Sequence, residues 1–279
     1  MQRYAQIHER ARSISQLGNV ISAMRGVAAA RAQQSRQQLK NVQKYADIVA
    51  EAISQVLAII PADKLGRNNR MGRSALILFC AEHGFAGTFS EKIYAGAGSD
   101  LAGNMLLIVG TRGLRLAHAK GLAPTWSTPL MSQLGSAAAL ADRIVAELYR
   151  HLHAGEVDRV DVVYARPRAQ QEAEIIRQRI LPLDYSRFAT TSKALPPILN
   201  LPAELLLRRL AGEYLFAQLN EAIVHTFAAE NLARLQTMSA AHENISRRID
   251  SLSQEERQAR QTEITAEIVE LAAGAEGLI

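Results

Sequence analysis

Two long terminal stretches without strong helix breakers constrain this chain most. Residues 1–60 contain no proline, and residues 213–273 contain neither proline nor glycine. A proline in a helix interior costs about 3 kcal/mol relative to alanine and a glycine about 1 kcal/mol, so both stretches read as helix. About sixty residues at a rise of 1.5 Å each would reach roughly 90 Å. A globular domain does not need two rods of matched length at opposite ends. The pattern predicts a mechanical or spacing role for the rods and a separate body for the middle of the chain.

The first rod carries a heptad seam. Positions seven apart are Ile7, Ile14, Ile21, Ala28, Ser35, Val42, Val49 and Val56. The column three residues further on is Arg10, Leu17, Met24, Arg31, Gln38, Tyr45, Ala52 and Ile59. A repeat of 3.5 residues predicts a left-handed coil around a partner helix. The seam is apolar at both ends and polar from Arg31 to Gln38, so that stretch should be exposed or face something polar. Gly18 and Gly26 each weaken the helix and should mark a close approach to another backbone.

The last rod places Leu219, Ile223, Phe227, Leu232, Leu235, Met238, Ile245, Ile249 and Leu252 at helical spacing. Residues 253–263 are almost wholly polar, and a narrow apolar stripe resumes at Ile264, Ile268 and Leu271. Such a segment suits a lined channel or a neighbouring subunit better than its own core. Ile14, Leu17 and Ile21 of the first rod, and Leu235, Met238 and Ile245 of the last, are the expected packing residues between the two.

Charge separates the rods. Residues 1–60 hold eight Lys/Arg against Glu9, Asp47 and Glu51, a net +5; residues 213–279 hold five Arg against eleven Asp/Glu, a net −6. Opposite signs favour side-by-side pairing. Spacing and charge fit a parallel or an antiparallel pair equally well.

The middle reads as strands alternating with helices, which predicts an α/β body with a partly parallel sheet. Residues 74–80 form an apolar run that ends in the glycine-bearing loop Glu82-His83-Gly84-Phe85-Ala86-Gly87. A second strand, residues 105–109, closes on Gly110-Thr111-Arg112-Gly113. Residues 137–153 form an amphipathic helix with Leu140, Ile144, Leu148 and Leu152 on one face. A third strand spans 157–165, alternating around Val160, Val162 and Tyr164. Residues 170–180 are ambiguous, helical in propensity but directly after a strand. Pro196, Pro197 and Pro202 read as a linker into the last rod. The expected division is 1–60, 61–203 and 204–279.

Candidate chemistry is sparse. Gly110 to Gly113 lacks a third glycine and any Gly-Lys-Ser/Thr, so it reads as a strand-to-helix turn and not as a nucleotide loop. Glu82 beside His83 suggests a catalytic pair or a ligand, but only Cys80 lies nearby, and one His with one Cys does not make a zinc site. His118, His151, His153, His225 and His242 are scattered, and His151 and His153 should point apart. There is no Gly-x-Ser-x-Gly and no nucleophile beside a base. No cofactor or metal is expected. The basic first rod lacks the interleaved aromatics of a nucleic-acid surface, so no nucleic acid is expected.

An aromatic content of 5% suits alanine-rich helix packing better than an aromatic-lined pocket. The single cysteine excludes an internal disulfide and fits a reducing compartment. No apolar run is long enough to span a bilayer, and no secretory signal is expected at the N-terminus. Membrane association would therefore run through a partner. The rods also suit a stand-alone coiled-coil scaffold or holdase; an enzyme would need a pocket near Gly84 or Gly110.

Several motifs point to a family. Ala228-Ala229-Glu230-x-x-Ala233-Arg234-Leu235-x-Thr237-Met238-x-Ala240-Ala241-x-x-Asn244 resembles the Ala-Ser-Glu-x-x-Ala-Arg-Met-x-Ala-Met-x-Ala-Ala-x-x-Asn motif of the γ subunits of F-type ATP synthases. Arg260-Gln261-Thr262-Glu263-Ile264-Thr265-Ala266-Glu267-x-x-Glu270-Leu271-x-x-Gly274-Ala275 is similar to that family's Arg-Gln-Ala-x-Ile-Thr-x-Glu-x-x-Glu-Ile-x-x-Gly-Ala terminus. Ala23-Met24-x-x-Val27-Ala28 resembles its Ala-Met-x-Met-Val-Ala, and the loop from Glu82 to Gly87 resembles its Asp-Arg-Gly-Leu-Cys-Gly. The resemblance covers essentially the whole chain in order. Gly26, Ala86 and Thr262 depart from the family's methionine, cysteine and alanine, as in a divergent branch.

The resemblance implies an α+β fold: a long antiparallel coiled coil of the N- and C-terminal helices plus a central Rossmann-like α/β domain. It implies a non-catalytic central rotor shaft inside a ring of α and β subunits, with ε and the c-subunit ring at its foot. Membrane contact would run only through the c ring, with the chain peripheral on the cytoplasmic face of the bacterial inner membrane. Arg260 and Gln261 match family positions that hydrogen-bond a loop of β, and Met24 matches one near the same region. Residues 253–263 would then lie alone in the hexamer, past the end of the partner helix.

Overall fold

The computed structural model describes residues 2–61, 73–101, 103–168, 172–188 and 198–276, with side chains from Tyr4 to Val269 among them. Pro196 and Pro197 of the expected linker, and Gln170 and Gln171 of the ambiguous segment, lie outside the described residues, as does the side chain of Leu271. The element order is α1 (Gln2–Leu57), β1 (Ser74–Phe79), α2 (Phe89–Ala97), β2 (Met105–Val109), α3 (Thr111–Ala119), β3 (Trp126–Thr128), α4 (Ala137–His153), β4 (Arg159–Arg166), β5 (Glu174–Leu181) and α5 (Ala203–Glu276). No described helix is long and apolar enough to cross a membrane. The chain forms two compact units, one from Met1–Ala28 with Leu235–Ile279, the other from Ala29–Arg234.

In the first unit, α1 and α5 run antiparallel. His8 Nδ1 lies 2.8 Å from Glu256 Oε1, and Ser22 Oγ lies 3.2 Å from His242 Nδ1, so one number rises as the other falls. On α1 the buried or half-buried columns are Ile7, Ile14, Ile21 and Ala28, and Tyr4, Ala11, Gly18 and Arg25. The second column stands one residue away from the expected one. Leu17, expected on the seam, is 52% exposed, and Arg10 is exposed; Met24 is half-buried. Columns at i+3 and i+4 both satisfy a heptad. Apolar content favours Leu17, whereas close helix approach favours the smaller Ala11 and Gly18. A Cβ built on Gly18 would stand 3.2 Å from Ile245 Cγ2, a side chain and not the backbone expected; one on Gly26 would meet nothing within 4 Å.

On α5 the inward positions in this unit step alternately by four and three: Met238, His242, Ile245, Ile249, Leu252, Glu256, Ala259 and Glu263. Met238 and Leu252 are buried, and Leu235 and Ile245 are half-buried. Residues 253–263 are therefore not wholly without a partner helix, because Glu256 pairs with His8. That contact, with the charge of the neighbouring residues, holds the Glu256 carboxyl below its usual range.

In the second unit a five-stranded sheet has the order β3-β2-β1-β4-β5. The first four strands are parallel, with registers such as Ile77↔Leu107 and Ile77↔Val162. β5 lies antiparallel to β4, pairing Gln178 with Val162, which settles the ambiguous segment as an edge strand. Pairing decides what propensity left open: Ile175 packs on one face of the sheet and Ile176 on the other. Arg177 and Arg179 both reach Asp161 across the pair, at 3.1 and 3.2 Å.

Helices cover both faces. Ile77, Phe79, Leu107, Val109, Val160 and Val162 pack against α4 and against α5 from Leu215 to Ala228, with Leu39 and Val42 of α1. Leu76, Leu78, Ile108 and Val163 pack under α2 and α3. Both faces of the central strands are buried, which is why β1 and β2 read as continuous apolar runs. A third cluster joins Val49, Ile53 and Val56 of α1 to Leu207 of α5. Before Leu39 on α1, Ala32 and Ser35 are buried while Gln33, Gln34, Arg36 and Gln37 are exposed, so the stretch from Arg31 to Gln38 is exposed on one face only. Its inward residues are small, and the Ser35 hydroxyl is satisfied by donating to the Arg31 carbonyl at 2.7 Å. Tyr45 and Ile59, expected inside, are 37% and 39% exposed, while Ile53 and Ile60 are buried in their place.

Candidate functional site

Two regions carry the residues singled out from sequence. The first is the α5 end of the first unit. Arg260 and Gln261 are exposed there, and Ile264, Ile268 and Val269 are 47%, 61% and 61% exposed. The Thr262 and Thr265 hydroxyls donate to the carbonyls of Gln258 and Gln261, at 2.9 and 2.8 Å, so these side chains fold back onto the helix. On α1, Val20 and Val27 are 55% and 53% exposed and share the outer face with Leu17 at helical spacing. A helix pair in water does not gain from apolar side chains left outside.

The second region lies in the other unit, at the carboxyl ends of β1, β2 and β3. Glu82 and His83 do not form a catalytic pair. The Glu82 carboxylate accepts from the Thr111 N–H at 3.0 Å, the Thr111 hydroxyl at 2.6 Å and the Leu130 N–H at 2.8 Å. It thereby ties together the chain leaving each of the three strands. Gly110, with φ +111, makes the tight turn after β2, where a Cβ would lie 2.5 Å from the Cys80 carbonyl oxygen. The segment from Gly110 to Gly113 is thus a turn into α3, as its spacing indicates.

Helix α5 holds the loop after β1 from the other side. The Glu82 and His83 N–H groups donate to Glu230 Oε2 and Oε1 at 3.3 and 3.2 Å. Arg234 donates from Nε to the Gly84 carbonyl at 3.2 Å and from Nη1 to Asn231 Oδ1 at 3.1 Å, and it pairs with Glu230 through Nη2. Glu230, Asn231 and Arg234 are 2%, 1% and 6% exposed. This network is the work of the Glu-x-x-Ala-Arg motif, and its contact to the loop spans 148 residues of sequence. Helical spacing shows that Glu230 and Arg234 share a face; it does not show what that face holds.

Cys80 is fully buried, and burial pushes its thiol pKa well up. Among the described residues, no group of three or more His, Cys, Asp and Glu side chains is placed to hold a metal ion. His151 is buried between Glu147 and Glu156, while His153 lies against Tyr149, so the two do point apart. A cleft of about 180 Å³ beside the loop is lined by residues including His83, Phe85, Arg112 and Arg115. Phe85 itself is 63% exposed and adopts φ +63.

A family profile described as ATP synthase matches residues 3–278. The chain belongs to the ATP synthase family. Relatives within this family named ATP synthase gamma chain include one from Clostridium acetobutylicum, 25% identical over 98% of this chain and 97% of its own length. Another, from Frankia casuarinae, is 26% identical over 96% and 95%. The ATP synthase fold is shared with a chain of the Euglena gracilis mitochondrial OSCP/F1/c-ring assembly, with a TM-score of 0.67 at 13% identity over 99% of this chain and 94% of that one. A chain of the Tetrahymena thermophila mitochondrial central stalk and c ring gives 0.57 at 19% identity over 80% and 99%.

Proposed function

We propose that this chain is the central rotor shaft of an F-type ATP synthase, a subunit with no chemistry of its own. Its partners are the α and β subunits of the catalytic hexamer, the ε subunit and the c-subunit ring. Ion-driven rotation of the c ring turns the shaft, and the asymmetric shaft drives each β subunit through its conformations in turn. The observation that carries this reading is the α5 end of the first unit. Exposed Ile264, Ile268 and Val269 stand beside exposed Arg260 and Gln261 on a long helix. Apolar residues left in water there fit a surrounding protein wall.

In this reading residues 61–203 are the foot and the terminal helices the shaft. Arg260 and Gln261 form a charged catch on a loop of β that breaks and re-forms as the shaft turns. Met24, expected beside them, stands near the Ser22–His242 contact, about 30 Å along the helix pair from Arg260 at the His8–Glu256 end, and is not part of the catch. The chain is peripheral to the membrane, on the cytoplasmic face of the bacterial inner membrane, and reaches the bilayer only through the c ring.

Truncation after Ser251 tests the assignment. The truncated chain should keep its folded α/β body and assemble, while ion movement per ATP hydrolysed in reconstituted vesicles falls. Unchanged coupling would sink the assignment of this end to the hexamer. A scaffold or holdase would not bring down α and β subunits at a fixed stoichiometry.

A further inference from the structure

The loop at the carboxyl end of β1 has the plan of a ligand site, and it holds a carboxylate from its own chain, that of Glu230. In open parallel sheets, ligands sit beyond the carboxyl ends of the strands where the strand order reverses. Here the reversal falls at β1: the chain moves out to β2 and β3 on one side and returns to β4 on the other. The loop after β1 aims two successive N–H groups, those of Glu82 and His83, at the two oxygens of a single carboxylate. Successive N–H groups converging in this way make an anion cradle. The carboxylate is that of Glu230, and Arg234 completes the cradle while also holding the Gly84 carbonyl. Helix α5 passes the carboxyl end of β1 here: Phe227 and Ala228 belong to the core on one face of the sheet, and Ala229 to the core that holds Ala81 and Ala86 of the loop.

We infer that Glu230 is an internal ligand, filling the anion site that this α/β body would otherwise offer to a carboxylate or phosphate. It is also a positioning residue. Charge-assisted bonds to a buried group are strong and directional, so the loop and α5 are fastened here, and turning force on the body enters the helix through this clamp as well as through the packing of Leu215 to Ala228 on the sheet. This second half rests on the rotor reading. The first half stands on the chain alone. It also accounts for a Rossmann-like body without a nucleotide fingerprint: the site is taken, and the fingerprint has nothing to bind.

Chemical rescue tests both halves. The full chain carrying Glu230→Ala is titrated with sodium formate, with sodium chloride as the ionic control, and thermal unfolding is followed. Formate at about 100 mM should raise Tm by about 3 °C over chloride, with no such gain in the unsubstituted chain or in Glu230→Gln, whose side chain still fills the cradle. If Glu230→Ala does not fold in chloride, folding in formate makes the same point. Equal responses to formate and chloride would overturn the internal ligand. In the assembled complex, Glu230→Ala should lower ions moved per ATP hydrolysed by about threefold, with formate restoring the ratio. An unchanged ratio, in a complex whose ion movement does depend on this chain, would overturn the force-transmitting role. Ion movement that never depends on this chain would overturn the rotor reading instead and leave the formate result standing.

Discussion

Gly18 of α1 lies directly beneath Ile245 of α5, so close that a Cβ at residue 18 would stand 3.2 Å from Ile245 Cγ2. Gly26, two turns on, has nothing within 4 Å of the same position. The two glycines therefore predict different outcomes for one substitution. Gly26→Ala should stabilise the chain by up to about 1 kcal/mol through helix propensity alone. Gly18→Ala should gain less, because Ile245 must shift, and Gly18→Val should destabilise by about 1–3 kcal/mol through overpacking. Equal gains for the two alanine variants would show that the helices do not meet at residue 18.

The seam itself is tested by truncating one residue outside it and one inside. Leu17→Ala, at a side chain 52% exposed, should change the stability of the isolated chain by less than about 0.5 kcal/mol. Met238→Ala, at a side chain 2% exposed, should cost about 2 kcal/mol or more. Chemical denaturation of both variants decides it, and a larger loss at Leu17 would restore the i+3 column.

These residues also show where sequence reading stops. Absence of proline marks both long helices, apolar runs mark β1 and β2, and one apolar face at helical spacing marks α4, because each is a local property. The seam stands one residue from the expected column because a heptad accepts columns at i+3 and i+4, and the choice depends on how closely the partner helix approaches Gly18. The edge strand β5 was undecided because its pairing with β4, not its propensity, makes it a strand. Short β3 had no periodic signal of its own to read. Glu230 and Arg234 were visible as a family motif, but their hold on the loop at Glu82 to Gly84 joins distant parts of the chain, which no spacing rule reports.

Arg234 is 6% exposed and neutralises Glu230, which is 2% exposed. Arg234→Ala leaves a buried carboxylate without its countercharge and should cost about 3–5 kcal/mol. Arg177→Ala, which also loses carboxylate partners but at a partly exposed position, should cost less than about 1 kcal/mol. Urea unfolding of the two variants gives the comparison, and similar losses would contradict the buried-clamp account.

Tyr45 donates to Glu213 Oε2 at 2.6 Å. That bond first, then burial and the carboxylate's charge, push the phenol pKa up from 10.0 to about 12. The folded value lies above the unfolded one, so the contribution is complete below about pH 10 and is lost as pH rises to about 12. The ring is 37% exposed, which keeps the effect below about 1 kcal/mol. Tyr45→Phe should flatten this part of the stability profile between about pH 10 and 12. An unaltered slope would mean the hydrogen bond does not hold in solution.

Gly110→Ala places a Cβ 2.5 Å from the Cys80 carbonyl oxygen at a residue with φ +111. Strain and clash together should cost about 2 kcal/mol or more. Millimolar ATP should leave the thermal unfolding of the unsubstituted chain unchanged, because this turn is structural. A nucleotide-dependent rise in Tm would contradict that reading.

The rotor claim is tested most directly by watching the chain turn. Ile198 is 95% exposed, whereas Cys80 is fully buried, so Ile198→Cys provides one reactive thiol for a bead or rod. With the α and β hexamer fixed to a surface and ATP supplied, the label should rotate in one direction in discrete steps. A label that stays still or only diffuses, while the same complexes hydrolyse ATP, would contradict the account.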